Sequence, residues 1–95
     1  MQPCKLPKFS VLVAHYYFHV ERDGQRISDE EGSDHSDLQS VQGLAIRAAA
    51  DLAAEDLKSG LDSVEYFIVV EDEAGQDLIR VRVFAVVEVQ EARSA

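Results

Sequence analysis

Hydrophobic and polar positions alternate with a period of two through residues 11–21, where Leu12, Ala14, Tyr16, Phe18 and Val20 interleave with Val13, His15, Tyr17 and His19. Such alternation, rich in aromatic and β-branched residues, predicts a strand, because successive side chains leave a pleated backbone on opposite faces. Arg22-Asp23-Gly24-Gln25 comes next. An Asp-Gly pair suits a type I′ hairpin turn, whose two central residues need positive φ. A short return strand is expected over residues 25–28, and Asp29-Glu30-Glu31-Gly32 then leaves the sheet through an acidic turn.

The period then changes to that of a helix. Ser36 with Gln39 three residues later has the form of a capping box, with Asp37 near the positive end of the helix dipole. On a helical wheel Leu38, Val41, Ala45, Ala48, Ala49 and Leu52 share one face, with Arg47, Asp51 and Lys58 opposite. The apolar stripe is mostly alanine, so the helix axis can lie close to a sheet while Tyr16 and Phe18 fill the space between. Gly60 suits the left-handed position that ends many helices.

Two further strands are expected, over residues 64–71 and 78–89, joined by a hairpin connection that contains Gly75. In the last strand Ile79, Val81, Val83, Ala85 and Val87 form one face, and Leu78, Arg80, Arg82, Phe84 and Val86 the other. The expected fold is therefore a two-layer α+β domain of order β-β-α-β-β, one amphipathic helix on a mostly antiparallel four-stranded sheet. Residues 9–90 form the domain, flanked by tails at 1–8 and 91–95. A single helix covers only one sheet face. The other carries Phe67, Val69, Phe84 and Val86, which need cover from a second copy or a protein partner.

Composition narrows the function. At 95 residues the chain holds one domain. Its net charge of −9 argues against nucleic acid and anionic membranes as partners. No apolar run reaches the ~20 residues of a membrane span. The apolar stretch after Lys5 and Lys8 runs into His15 and Tyr16 without a small-residue cleavage site, unlike a signal peptide. A lone Cys4 offers neither an internal disulfide nor a zinc site, which fits a reducing cytoplasm.

Candidate chemistry is sparse. His15 and His19 have a chelating spacing only on a helix; on a strand their Cα atoms lie ~13 Å apart, too far to share one ion. The plainer reading makes them polar residues flanking Tyr17. The carboxylate clusters at residues 29–37 and 71–77 do not fit the register of a calcium-binding loop and read as solvated turns. No nucleophile elbow, zinc-protease, P-loop or dinucleotide motif is present. An enzyme is disfavoured, and no catalytic residue, cofactor or metal is assigned. Tyr16, Tyr17 and Phe18 with Arg80 and Arg82 could imitate an RNA-stacking platform, but the surrounding acids repel phosphate.

The segments Tyr16-Tyr17-Phe18-His19-Val20, Asp23-Gly24, Asp29-Glu30-Glu31-Gly32 and Glu71-Asp72-Glu73-Ala74-Gly75 together resemble a family of short bacterial proteins known only as a domain of unknown function. Its members read roughly YFFHV, DG, DxEG, a helix with spaced alanines, RDEDG and VPF. The resemblance spans residues 14–86. This chain has Val83-Phe84 without the proline, and Glu71 and Ala74 where the family often has Arg and Asp. The resemblance implies a fold but no activity. The functional expectation is a small acidic cytoplasmic interaction or regulatory module that self-associates, with His15, Tyr17, His19, Phe67, Val69, Arg80, Arg82 and Phe84 as its candidate interaction surface. The alternative is an antitoxin-like or ligand-binding regulator whose acidic turns engage a basic partner.

Overall fold

The computed structural model describes residues 13–92. The elements run β1 (Ala14–Arg22), β2 (Gln25–Ile27), β3 (Ser33–His35), α1 (Leu38–Lys58), β4 (Ser63–Asp72) and β5 (Asp77–Val86). The expected tail at residues 1–8, the strand start at 11–12, Cys4 and the last three residues lie outside the described span. One helix on an antiparallel sheet is the architecture expected from the alternation. The strand order is β2-β1-β4-β5, with β3 as a fifth strand that also pairs β1.

β3 is the departure. The sequence led from the acidic turn straight into the helix, yet Ser33, Asp34 and His35 pair with Tyr16, His15 and Ala14. β2 pairs with the other end of β1, from Val20 to Arg22. Two three-residue strands thus share one edge of β1. The turn between β1 and β2 has the expected geometry, with Asp23 at φ 52° and Gly24 at φ 76°.

The N-cap of α1 is Asp37 rather than Ser36, its carboxylate accepting the Ser40 N–H at 2.6 Å. A carboxylate satisfies an orphan donor and also faces the positive end of the dipole, which favours it over the neighbouring hydroxyl. The Ser40 N–H and hydroxyl hold the Asp37 carboxyl below its usual range. At the other end Gly60, at φ 114°, donates to the Leu57 carbonyl, and Leu61 donates to that of Asp56. This is the crossed pair of bonds that closes a helix through glycine.

The buried stripe of α1 is Val41, Ala45, Ala49 and Ala53. Ala48 and Leu52 are half-buried, while Leu38, expected in the stripe, is exposed at the first turn, before the helix reaches the sheet. The helix lies over β4 and β5, on Tyr16, Ile68, Val70 and the flanking Phe18, Val20, Val81 and Val83. Full burial of a side chain such as Ile68 contributes roughly 1.5–3 kcal/mol. Near the C-terminus of α1, Tyr66 donates its hydroxyl hydrogen to Asp56, while Arg22 donates to the same hydroxyl at 3.0 Å. Burial, and then the Asp56 carboxylate, push the Tyr66 phenol up. Helix, β1 and β4 are thereby fastened at one polar point. No helix among the described residues is long and apolar enough to cross a membrane.

Candidate functional site

The sheet face turned away from α1 carries all eight residues expected to form an interaction surface. The cross-strand rows are His19–Val69–Arg80 and Glu21–Phe67–Arg82, with Tyr17 beside Glu71 and Glu65 beside Phe84. The face divides into two halves with different chemistry.

The first half is a histidine network at the β1 edge. Asp29, between β2 and β3, folds back onto β1. Its carboxylate accepts the Phe18 N–H at 3.1 Å and the Gly32 N–H at 3.0 Å, and its own N–H donates to His19 Nδ1 at 3.1 Å. The Nδ1 atom of His19 therefore accepts, and Nε2–H donates to Glu71 Oε1 at 2.8 Å. Tyr17 stacks on His19 with centroids 6.3 Å apart and planes within 2°. Under this cover His19 is only 5% exposed. The sequence reading placed it at the surface; the fold-back of Asp29 and the Tyr17 ring enclose it.

Partial burial works against the Asp29 charge, but N–H donors from Phe18, Gly32 and Glu31 outweigh it and hold the carboxyl below its ordinary value. Gly32 is required at the end of this turn. Its φ is +68°, and an added Cβ would stand 2.6 Å from His15 Nε2 and 2.7 Å from the Tyr16 carbonyl oxygen. His15 closes the network from the half-exposed side, contacting Asp34 Oδ1 at 2.6 Å and the Glu31 carbonyl at 2.7 Å, with its ring edge-on to Tyr17.

The second half is an ion-pair lattice over Phe67 and Val69. Arg80 stacks on Phe67 at 4.1 Å and donates to Glu21 at 3.0 Å. Arg26 forks onto the same carboxylate at 3.0 and 2.7 Å and reaches within 3.9 Å of Asp77. The Arg26 hydrogen bond holds Glu21 below the usual carboxylate range despite some desolvation. Val69, expected to need a partner, is wholly buried within its own chain. Long side chains folded across the face supply the cover that the apolar pattern called for. Phe67 is half-buried for the same reason, whereas Arg80 and Arg82 remain exposed at their heads.

Phe84 is the exception. It is 61% exposed, and Arg82, which donates to Glu65 at 2.7 Å, passes 5.6 Å from its ring without covering it. Beyond it Val86, Val87 and Val89 are exposed as well. All four lie on or just past β5, the last strand of the sheet, whose far edge has no neighbour among the described residues. A depression of about 670 Å³ opens beside this strand, between Arg22, Glu65, Phe67, Arg80 and Phe84. It lies at the β1–β2 turn end of the sheet, away from His15, Tyr17 and His19.

The acidic turns turn out to be internally engaged. Asp29 and Asp34 serve the histidine network, Glu71 serves His19, and one Asp72 oxygen accepts from the N–H groups of Ala74 and Gln76. Among the described residues no three His, Cys, Asp or Glu side chains converge on a metal site. The signal for Asp29 was present in the sequence as Asp-x-x-Gly, an Asx-turn pattern, but nothing local said which strand it would close upon.

Compared with known proteins, the chain matches no curated protein and no solved structure. Residues 15–85 match a family model described as a domain of unknown function.

Proposed function

The chain belongs to the DUF6894 family, and since that family brings no activity with it, we propose from the geometry that this domain is a small self-associating protein-interaction module that docks through the open edge of β5. One observation carries the reading. A ten-residue strand ends the sheet with no partner on its outer edge among the described residues and with Phe84 and Val86 exposed on it, while much of the remaining helix-free face is covered by the chain's own histidine network and ion pairs. An unpaired strand edge offers a row of backbone donors and acceptors, and adjoining apolar side chains add the burial that makes strand addition favourable.

Light scattering coupled to size-exclusion chromatography tests the reading. A dimer is expected at micromolar concentration for the unaltered chain, and a monomer for Phe84→Asp. That substitution lies on the surface and leaves the core intact. A monomeric unaltered chain at high micromolar concentration would overturn the proposal.

A further inference from the structure

β1 and β4 do not end together. Their ladder stops at Glu21 opposite Phe67, and β1 then turns back into β2 at Asp23-Gly24, whereas β4 begins as early as Ser63. Ser63, Val64, Glu65 and Tyr66 pair with β5 alone among the described residues. The Val87 N–H bond to the Asp62 carbonyl, at 2.8 Å, sets the phase of that pairing. Bonded pairs alternate along an antiparallel ladder, so Val64 and Tyr66 turn their backbone groups to β5, while Ser63 and Glu65 turn theirs the other way, into the line that β1 has left. The sheet therefore holds a short open edge in its interior, about 10 Å long over residues 63–65.

The depression of about 670 Å³ lies on this edge. Val64 and Tyr66 face the helix side, Glu65 and Phe67 the opposite side, and all four line it, which places it around the flank of the strand and not on one face. The β1–β2 turn forms its far wall. The cations on its rim are already held: Arg22 by Asp56 and the Tyr66 hydroxyl, Arg26 and Arg80 by Glu21. Its acids are less fully engaged. The Asp23 side chain is 88% exposed with Arg22 no nearer than 3.6 Å, and Glu65 meets Arg82 through one oxygen. The charge left over at the gap is negative, on a chain of net charge −9.

We infer that this gap binds a short, extended, basic peptide that adds to β4 antiparallel, along the line of β1, and stops against the Asp23-Gly24 turn. The site goes beyond the docking at β5 and does not depend on it. Peptide residues opposite Glu65 and Ser63 share the helix-free face, where a lysine meets the carboxylates of Glu65 and Asp23. The residue between them turns to the other side, against Leu61 and Val64, which also line the depression. Opposite charges across a strand pair favour the pairing, and main-chain bonds to Ser63 and Glu65 hold the peptide extended.

The probe is the tetrapeptide amide Lys-Val-Lys-Ala, titrated into the full chain and followed by NMR. Saturable shifts are expected at the amides of Ser63, Glu65 and Gly24, and none with Glu-Val-Glu-Ala. Glu65→Lys is expected to weaken binding roughly tenfold. Asp51→Lys, the same change of charge at an exposed position on α1, is expected to leave it within about twofold, since a distant exposed charge is screened by salt. N-methylation of the second lysine removes the N–H aimed at the Ser63 carbonyl but keeps the charge, and should abolish the shifts. N-methylation of the valine, whose N–H points away from β4, should preserve them. Equal binding of the two N-methylated peptides, or equal losses in Glu65→Lys and Asp51→Lys, would show that net charge alone attracts the peptide and would overturn the inference. So would the absence of saturable shifts with Lys-Val-Lys-Ala.

Discussion

His15 and His19 lie four residues apart on one face of β1 and hold opposite hydrogen-bonding roles. Both ring nitrogens of His15 meet acceptors, Asp34 Oδ1 at 2.6 Å and the Glu31 carbonyl at 2.7 Å, so the ring serves as a double donor. One nitrogen of His19 meets a donor, the Asp29 N–H at 3.1 Å, which fixes that ring with its hydrogen on the side of Glu71. The same residue type acts as a double-donor clasp at one position and, at the other, as a strut that accepts on one nitrogen and donates from the second.

The clasp is pH-dependent. The Asp34 hydrogen bond, followed by the Glu31 carbonyl, raises the His15 pKa above its ordinary 6.5. A folded value above the unfolded one means that the contribution of His15 is complete below about pH 6.5 and is lost as pH rises through the folded value. An NMR titration is expected to place the His15 midpoint above 6.5, with amides of β3 exchanging faster, after correction for intrinsic rates, on the alkaline side. A midpoint at or below 6.5 would contradict the double-donor geometry. In His15→Gln the β3 exchange should lose its pH step.

Asp29 works in the opposite sense. Its folded pKa lies below the ordinary 3.8, so its contribution is present above that value and disappears as pH falls through the folded one. Asp29→Ala strands the N–H groups of Phe18 and Gly32 and is expected to cost about 1–3 kcal/mol in urea unfolding at neutral pH. Asp29→Asn, which keeps one acceptor oxygen, should fall between the two and lose part of the acid dependence. Equal stability of Asp29→Ala and the unaltered chain would show that the fold-back contributes nothing.

Gly32 and Gly75 separate strain from collision. Both have positive φ, at 68° and 84°, but an added Cβ at Gly75 meets nothing nearer than Glu71 Oε2 at 3.9 Å, whereas at Gly32 it meets His15 and the Tyr16 carbonyl. Gly75→Ala is expected to destabilise by about 1–2 kcal/mol from backbone conformation alone. Gly32→Ala should lose distinctly more and also shift the His15 ring resonances. Identical losses at the two positions would argue that the His15 side chain simply moves aside.

The alanine seam of α1 sets the distance between helix and sheet. Ala45 is fully buried and Ala50 exposed, on the same helix. Ala45→Leu is expected to cost roughly 1–3 kcal/mol through overpacking against Tyr16, Ile68 and Val70, while Ala50→Leu should stay within about 0.5 kcal/mol of the unaltered chain. Thermal and urea unfolding of the pair give the comparison.

Much of the fold was legible in the sequence because it is written in short-range pattern. The Asp23-Gly24 turn, the alanine stripe, the glycine exit at Gly60 and the second hairpin each follow from neighbours within a few positions. β3 was not legible, since Ser33, Asp34 and His35 show no alternation and become a strand only because β1 offers them an edge. The apolar excess of the helix-free face was read correctly, but its consequence was overestimated at Val69. Periodicity reports which face a residue takes; it is silent on an arginine of the next strand that folds back across that face toward β1. His19 escaped for a similar reason, as its lid is a loop ten residues further on. Phe84 is the apolar member of the expected surface that stays exposed, although Arg82 passes beside its ring.

The division of β1's outer side between two three-residue strands, with the Asp29 bend wedged between them, also limits how far any stacking of these sheets can proceed. Fibrillar growth requires an adhesive margin at each end of the repeating unit, and here the β2/β3 margin is short, broken and interrupted by a carboxylate that already occupies the central backbone donor. Among the described residues β5 presents the long open border, so an addition there would leave only this short, broken margin for the next one.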